Sequence, residues 1–408
     1  MELVLRNARV DGHGPGPLDV AVAGGRIAAI GAALPGGGAR EIDLGGRFLA
    51  PGLVETHVHL DKSCIMERCA SDQGTLEEAI AQVAAAKARF TAEDVATRAA
   101  RTLEKAILQG TTHMRTHVEV DPGIGLRGLE GVLPLAERYR WALDLEVCVF
   151  PQEGLLNNPG TERLLVEGLK RGARVLGAAP YCDTDPRGQI DRVFALAREF
   201  DVDIDMHLDF FLDYRRGELD YVCEQTRRHH YEGRVAIGHV STLSAMPAPL
   251  FEDAARRLAD AGVAVTVLPS TDLFLMGRGV EHSVPRGVAP AHRLLGAGVN
   301  CSLSTNNVLN PFTPFGDCSL LRMASLYANV AQLGAHEALE ECFDLVTHRP
   351  ARLLGLEDYG IAVGKAADLV VFDCADRAAA VAELAPALYG FKRGRMTFSR
   401  SPAALHRP

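Results

Sequence analysis

Between roughly residues 50 and 350, short apolar runs alternate with amphipathic helical segments, and no other sequence feature restricts the fold as much. The apolar runs are THMRTHVEV, LDLEVCVFP, ARVLGAAPY, VDIDMHLDF, GRVAIGHV, GVAVTVLP and GVNCSLST. TLEEAIAQVAAAKARF, TAEDVATRAARTLEKAILQG, QIDRVFALAREF and LFEDAARRLADAG carry helical periodicity between them. In the second of these, Thr91 is placed as N-cap, Asp94 stands at the capping-box spacing, and Gly110 terminates the helix. A strand that returns through a helix lies parallel to its neighbour and is covered by that helix. The number of such units favours a closed barrel over an open sheet. The stretch Val263–Leu275 reads as a buried strand and the loop that follows it.

The chain ends differ from the middle. LVLRNARV, DVAVAGGRIAAIG and REIDLGGRFLAPG at the start, and GIAVGKAADLVVFD and YGFKRGRMTF at the end, are short branched-apolar pieces separated by glycine turns. The expected fold is α/β, a distorted (β/α)8 TIM barrel with a small composite β-sandwich formed by both ends. Residues 1–50 and 351–408 supply the sandwich and 51–350 the barrel.

Composition narrows the function. Of 408 residues 47% are apolar, enough for a large core, and the formal net charge of -9 disfavours nucleic acid and anionic membrane as partners. The opening MELVLRNARVDG lacks the basic stretch and long apolar core of a secretory leader, and no apolar run is long enough to span a membrane. Nine cysteines without framework spacing fit a reducing, cytoplasmic setting.

Histidines at strand ends carry the chemistry. In Glu55-Thr-His57-Val-His59-Leu-Asp61, preceded by Pro51 and Gly52, the period of two turns His57 and His59 to one face, where two imidazoles can bind a metal such as zinc. His207, in Asp205-Met-His207-Leu-Asp209, and His239, in VAIGHVST, stand near the C-terminal ends of two further strands, where barrel active sites assemble. His117, Glu119 and Asp121 in RTHVEVD belong to the same mouth or to a solvated loop. Lys62 and Arg115 are expected near the mouth, where each either recognises an anionic group or pairs with a local acid.

PGLVETHVHLDK, RTHVEVD, VFPQEG, DMHLD, IGHVST and TNNVLNPFTPFGD, in this order, resemble the bacterial cytosine-deaminase branch of the metal-dependent amidohydrolase superfamily, and are similar to isopropylammelide amidohydrolases. The resemblance implies His57, His59 and His207 as metal ligands and His239 as the group that polarises the substrate carbonyl or supports the attacking water. It implies Gln152 as the amide that contacts the ring, and a homo-oligomer. Two positions depart from the family. Asn306 stands where a catalytic aspartate is usual, and an amide can contact metal through oxygen but is no ordinary base. Phe210 stands where cytosine deaminases have glutamate, and offers an apolar contact instead. Asp209, two residues beyond His207, is the candidate substitute for proton transfer, beside His239.

The expected activity is metal-dependent hydrolysis of a C–N bond in a small nitrogen heterocycle, with one divalent transition ion, zinc first and iron as the alternative. Deamination of a cyclic amidine or nucleobase-like compound leads. Ring opening of a cyclic amide and noncatalytic binding of a heterocycle are the other readings. A nucleic-acid deaminase is disfavoured because the HxE…PCxxC pattern is missing.

Overall fold

The computed structural model describes residues 2–69 and 71–406, so the outer limits placed at 1 and 408 lie outside the described residues. Eight parallel strands follow one another in sequence order around the barrel: Leu53–Val58, Thr111–Glu119, Asp144–Phe150, Val175–Ala178, Asp203–Leu208, Val235–His239, Ala264–Val267 and Cys301–Leu303. They are called the first to eighth barrel strands below. Closure occurs just beyond the eighth strand, where Val58 and Asn306 form a parallel bridge. The Asn306 N–H donates to the His57 carbonyl and the His59 N–H donates to the Asn306 carbonyl, each at 2.8 Å. Below this seam the Glu55 carboxylate accepts from the Thr305 N–H at 3.1 Å, and burial raises its pKa to about 7.

The expected helices form between the strands. Thr91 caps helix Ala92–Leu108, its hydroxyl accepting from the Asp94 N–H at 3.2 Å. The Asp94 carboxylate does not complete the capping box; it bonds Arg68 and Arg98 instead. Val95, Ala99, Leu103 and Ile107 turn the apolar face of this helix inward. Gly110 ends the segment at φ +95°, a conformation that L side chains resist, and a Cβ there would lie 2.7 Å from Val370. Gly52 is required for a different reason, since its Cβ would fall 2.2 Å from the Thr112 side chain.

One expectation needs correction. After the seventh barrel strand the chain forms helix Pro269–Leu275 rather than a loop. Pro269 occupies the first turn, where its fixed φ suits a helix and its missing N–H costs nothing.

The two ends meet in one antiparallel-rich sheet with the spatial order Arg395–Ser399, Ala387–Lys392, Leu369–Phe372, Phe48–Pro51, Leu3–Val10, Leu18–Ala23 and Arg26–Gly31, with Glu41–Asp43 also on Leu3–Val10. Leu3–Val10 shifts register between Leu5 and Ala8, where Asn7 has φ +53°, so it pairs with different strands along its length. The folded-over sheet encloses its own core of Leu5, Val20, Ile27, Leu369, Val371 and Phe391. Helix His348–Leu353 crosses the division expected at residue 350 and packs on the first and eighth barrel strands.

A buried cluster fastens this sheet to the bottom of the barrel. The Lys392 ammonium, 2% exposed, meets Asp368 at 2.7 Å, Asp144 at 2.8 Å and the Thr112 carbonyl at 3.0 Å. Burial, then the neighbouring Lys392 charge, lowers the His113 pKa to about 4. Removing the cation in Lys392→Met strands Asp368 without its partner, and the expected loss of unfolding free energy is about 3 kcal/mol or more, measured as a lowered urea midpoint. His113 stays neutral in the fold while the unfolded chain takes up a proton near 6.5, so its contribution is present above 6.5 and is lost as pH falls toward 4. His113→Gln is therefore expected to show a shallower fall of the urea midpoint over that window than the parent.

Candidate active site

Three imidazoles converge at the C-terminal ends of the first and fifth barrel strands. His57 Nε2 and His59 Nε2 each lie 3.0 Å from His207 Nε2. All three rings are fully enclosed, and burial first, then their neighbours, holds their pKa values well below the ordinary range. Neutral rings with lone pairs turned toward one point repel each other unless a cation lies between them.

The donor chemistry fits a divalent transition ion. The Nδ1 atoms of His57, His59 and His207 have no hydrogen-bond partner among the described residues, and neither does the Asn306 side-chain amide, which is 1% exposed beside them. The ligand nitrogens of His57, His59 and His207 all lie within 4.8 Å of one another, a set that a borderline ion accepts. Asn306 has φ +62°, a left-handed conformation that asparagine tolerates better than most residues.

His239 lies at the end of the sixth strand and is organised by a residue that the sequence did not single out. Its Nδ1 lies 2.6 Å from Asp272 Oδ1, with both groups buried. Burial raises the Asp272 pKa, and contact with His239 opposes that shift. Asp272 belongs to the helix whose residues were expected to form a loop. Its signal was an acidic residue shortly after a strand end. Phe210 stacks on the other side of His239, with centroids 3.8 Å apart and rings inclined by 29°.

Lys62 and Gln152 approach from the opposite wall. Lys62 Nζ donates to Gln152 Oε1 at 3.2 Å and to Glu119 Oε1 at 2.7 Å, and lies 4.4 Å above the Phe312 ring. Burial favours a neutral Glu119, but the ammonium groups of Lys62 and Lys87 outweigh it and bring the carboxyl down to about 2. Glu119 and Asp121 are thus buried ion-pair partners and not solvated loop acids.

His59, Lys62, Gln152, Tyr181, His207, Phe210, His239, Asn306 and Asn307 share one small chamber with about 10 Å³ of free space. Gln152, Tyr181 and Phe210 also line an outer vestibule of about 560 Å³.

Two expected residues lie elsewhere. The fifth strand ends at Leu208, and Asp209 turns away with φ +48°. Its carboxylate accepts from the Glu218 and Leu219 N–H groups at 2.9 and 3.2 Å, at the start of helix Leu219–Arg228. Burial raises its pKa to about 6, but it faces the vestibule rather than the chamber. Arg115 is not at the mouth. It lies below the histidines, bonded to Glu146 of the neighbouring third strand at 2.7 Å and, across the barrel interior, to Asp205 of the fifth strand at 2.9 Å. His117 is buried and stacked on His57 at 3.8 Å.

Comparison with known proteins gives the family and the fold. The chain is 28% identical over 404 residues to N-isopropylammelide isopropyl amidohydrolase of Pseudomonas sp. (strain ADP), covering 97% of this chain and 96% of that one. It is 28% identical over 362 residues to a pterin deaminase of Rhizobium rhizogenes (strain K84 / ATCC BAA-868), covering 87% and 82%. The crystal structure of 5-methylcytosine deaminase from Klebsiella pneumoniae liganded with 5-fluorocytosine superimposes with a TM-score of 0.94 at 27% identity, covering 99% of each chain. The amidohydrolase family model matches residues 40–134 and 135–398, and with it the strand ends that carry the imidazoles: the chain belongs to the amidohydrolase family and is a metal-dependent hydrolase.

Proposed function

We propose that this enzyme deaminates a small cyclic amidine or nucleobase-like ring, replacing an exocyclic amine with oxygen from water. The observation that carries the reading is the buried His239–Asp272 pair, which shares a chamber with the convergent imidazoles and the Lys62–Gln152 pair. His57, His59 and His207 would hold the metal, with the Asn306 side chain available beside them. The bound ion supplies a water of lowered pKa. Zinc suits three imidazole donors, with iron as the alternative.

The remaining steps belong to the chain's own groups. Asp272 accepts from His239 Nδ1, which leaves Nε2 to receive the water's proton and to pass it to the departing amine. Gln152 Nε2 and Lys62 Nζ donate to a ring carbonyl, so the substrate carries an amide edge beside its amidine carbon. Phe210 packs on the ring where related enzymes use a carboxylate, and favours a less polar face there. Asp272 with His239 takes over the proton transfer that Asn306 is unable to perform. Nine cysteines without disulfides suit a reducing cytoplasm.

Zinc-loaded protein is expected to release ammonia or an amine from at least one of N-isopropylammelide, pterin, 5-methylcytosine and related amidines, and to lose this activity in His207→Ala. Products that gain one water without releasing an amine overturn deamination in favour of ring opening. In Asp272→Asn the imidazole loses its acceptor, and kcat is expected to fall roughly 10²-fold or more at unchanged metal content, measured by steady-state kinetics and metal analysis.

A further inference from the structure

The ammonium of Lys87 is buried in the wall behind the chamber and lines neither the chamber nor the vestibule. It ends helix Leu76–Lys87, whose Leu76, Glu77 and Ile80 face the vestibule. Three carboxylates converge on it: Glu119 Oε2 at 2.9 Å, Asp121 Oδ2 at 2.6 Å and Glu153. Each leads somewhere different. Glu119 divides its two oxygens between Lys87 and Lys62. Glu153 follows Gln152, whose amide oxygen accepts from Lys62. Asp121 fixes the turn after the second barrel strand by accepting from the Gly123 and Ile124 N–H groups at 2.7 and 3.1 Å. Both groups assigned above to the substrate's amide edge are therefore tied, at one remove, to a single buried cation.

We propose that Lys87 is a positioning residue that sets the spacing between Lys62 and Gln152 without touching substrate. A core that needed only filling would be served by an apolar side chain, which avoids the cost of burying an ion. What an apolar residue fails to supply is one point charge that binds two separate loops and leaves each with a defined direction. Without it Glu119 rests on Lys62 alone, and Glu153 and Asp121 repel each other and the remaining acid. Lys62 is then drawn toward the carboxylates and away from the Gln152 oxygen.

This proposal rests on the reading of Lys62 and Gln152 as substrate-facing, so the experiment separates the two. Crystal structures of the metal-loaded Lys87→Met and Lys87→Arg proteins are compared with the parent. The 3.2 Å contact between Lys62 Nζ and Gln152 Oε1 is expected to be lost in Lys87→Met and kept in Lys87→Arg. In kinetics with the panel compound that gives most product, Lys87→Met is expected to raise KM about tenfold with less than about a threefold change in kcat, and Lys87→Arg to recover most of the loss. Should Lys87→Met fail to fold, Glu153→Gln, at a partly exposed position, is expected to move Gln152 alone and to raise KM in the same direction. Persistence of the Lys62–Gln152 contact in the folded variant, or a loss of kcat with KM unchanged, overturns the positioning role. If Gln152→Ala and Lys62→Met leave KM at the parent value, it is the substrate assignment that falls.

Discussion

Asn306 is gripped through its backbone by the strand that carries His57 and His59, and that grip both closes the barrel and assembles the site. Its N–H and carbonyl take the two partners that the first strand would otherwise leave open, the His57 carbonyl and the His59 N–H. The register of a parallel pairing is thereby fixed at the position where it matters most, because a slip by one residue would turn both imidazoles out of the interior. His207 meets them from the far side of the barrel, and the bonds that hold the fold also set the distance between the nitrogens.

Three acids near the chamber are each engaged by a partner of their own. Asp272 is committed to His239, Glu119 to two lysines, and Asp209 to the start of a helix. On the proposed reading, none of these three is left free to compete for the proton that His239 would exchange. The uncharged Asn306 then leaves proton transfer, on that same reading, to the His239 imidazole. Phe210, stacked over that ring, covers its face, and Asp272 engages its Nδ1.

Much of this was legible in the sequence because it depends on periodicity. Alternation with period two put His57 and His59 on one face, and the strand–helix rhythm implied the parallel barrel, its capped helix at Thr91 and the hairpin pieces at both ends. Features decided by single backbone dihedrals were not legible. Asp209 was expected to continue the strand of His207, but a positive φ reverses it within one residue. Arg115 has the pattern of a strand residue facing inward, and nothing local says that acids from two other strands meet it below the histidines. Asp272 was hidden for the opposite reason. Its proline-containing run reads as a loop, while that proline starts the helix that brings the acid to His239.

The two buried lysine clusters show what long-range ionic contacts add to such a barrel. Lys392 joins the C-terminal strands to the second and third barrel strands at the bottom of the barrel, and Lys87 joins the end of the second strand to neighbouring loops at the top. In each the cation is enclosed and several carboxylates depend on it, so the net gain in stability over an apolar replacement is small, while removal of the cation alone is costly. The difference lies in what moves when the cation is removed. At the bottom the partners lie on both the terminal sheet and the barrel strands, and the consequence is a weaker attachment of that sheet. At the top they are loop residues next to the groups that face the chamber, and the same loss of charge is transmitted to the site's geometry.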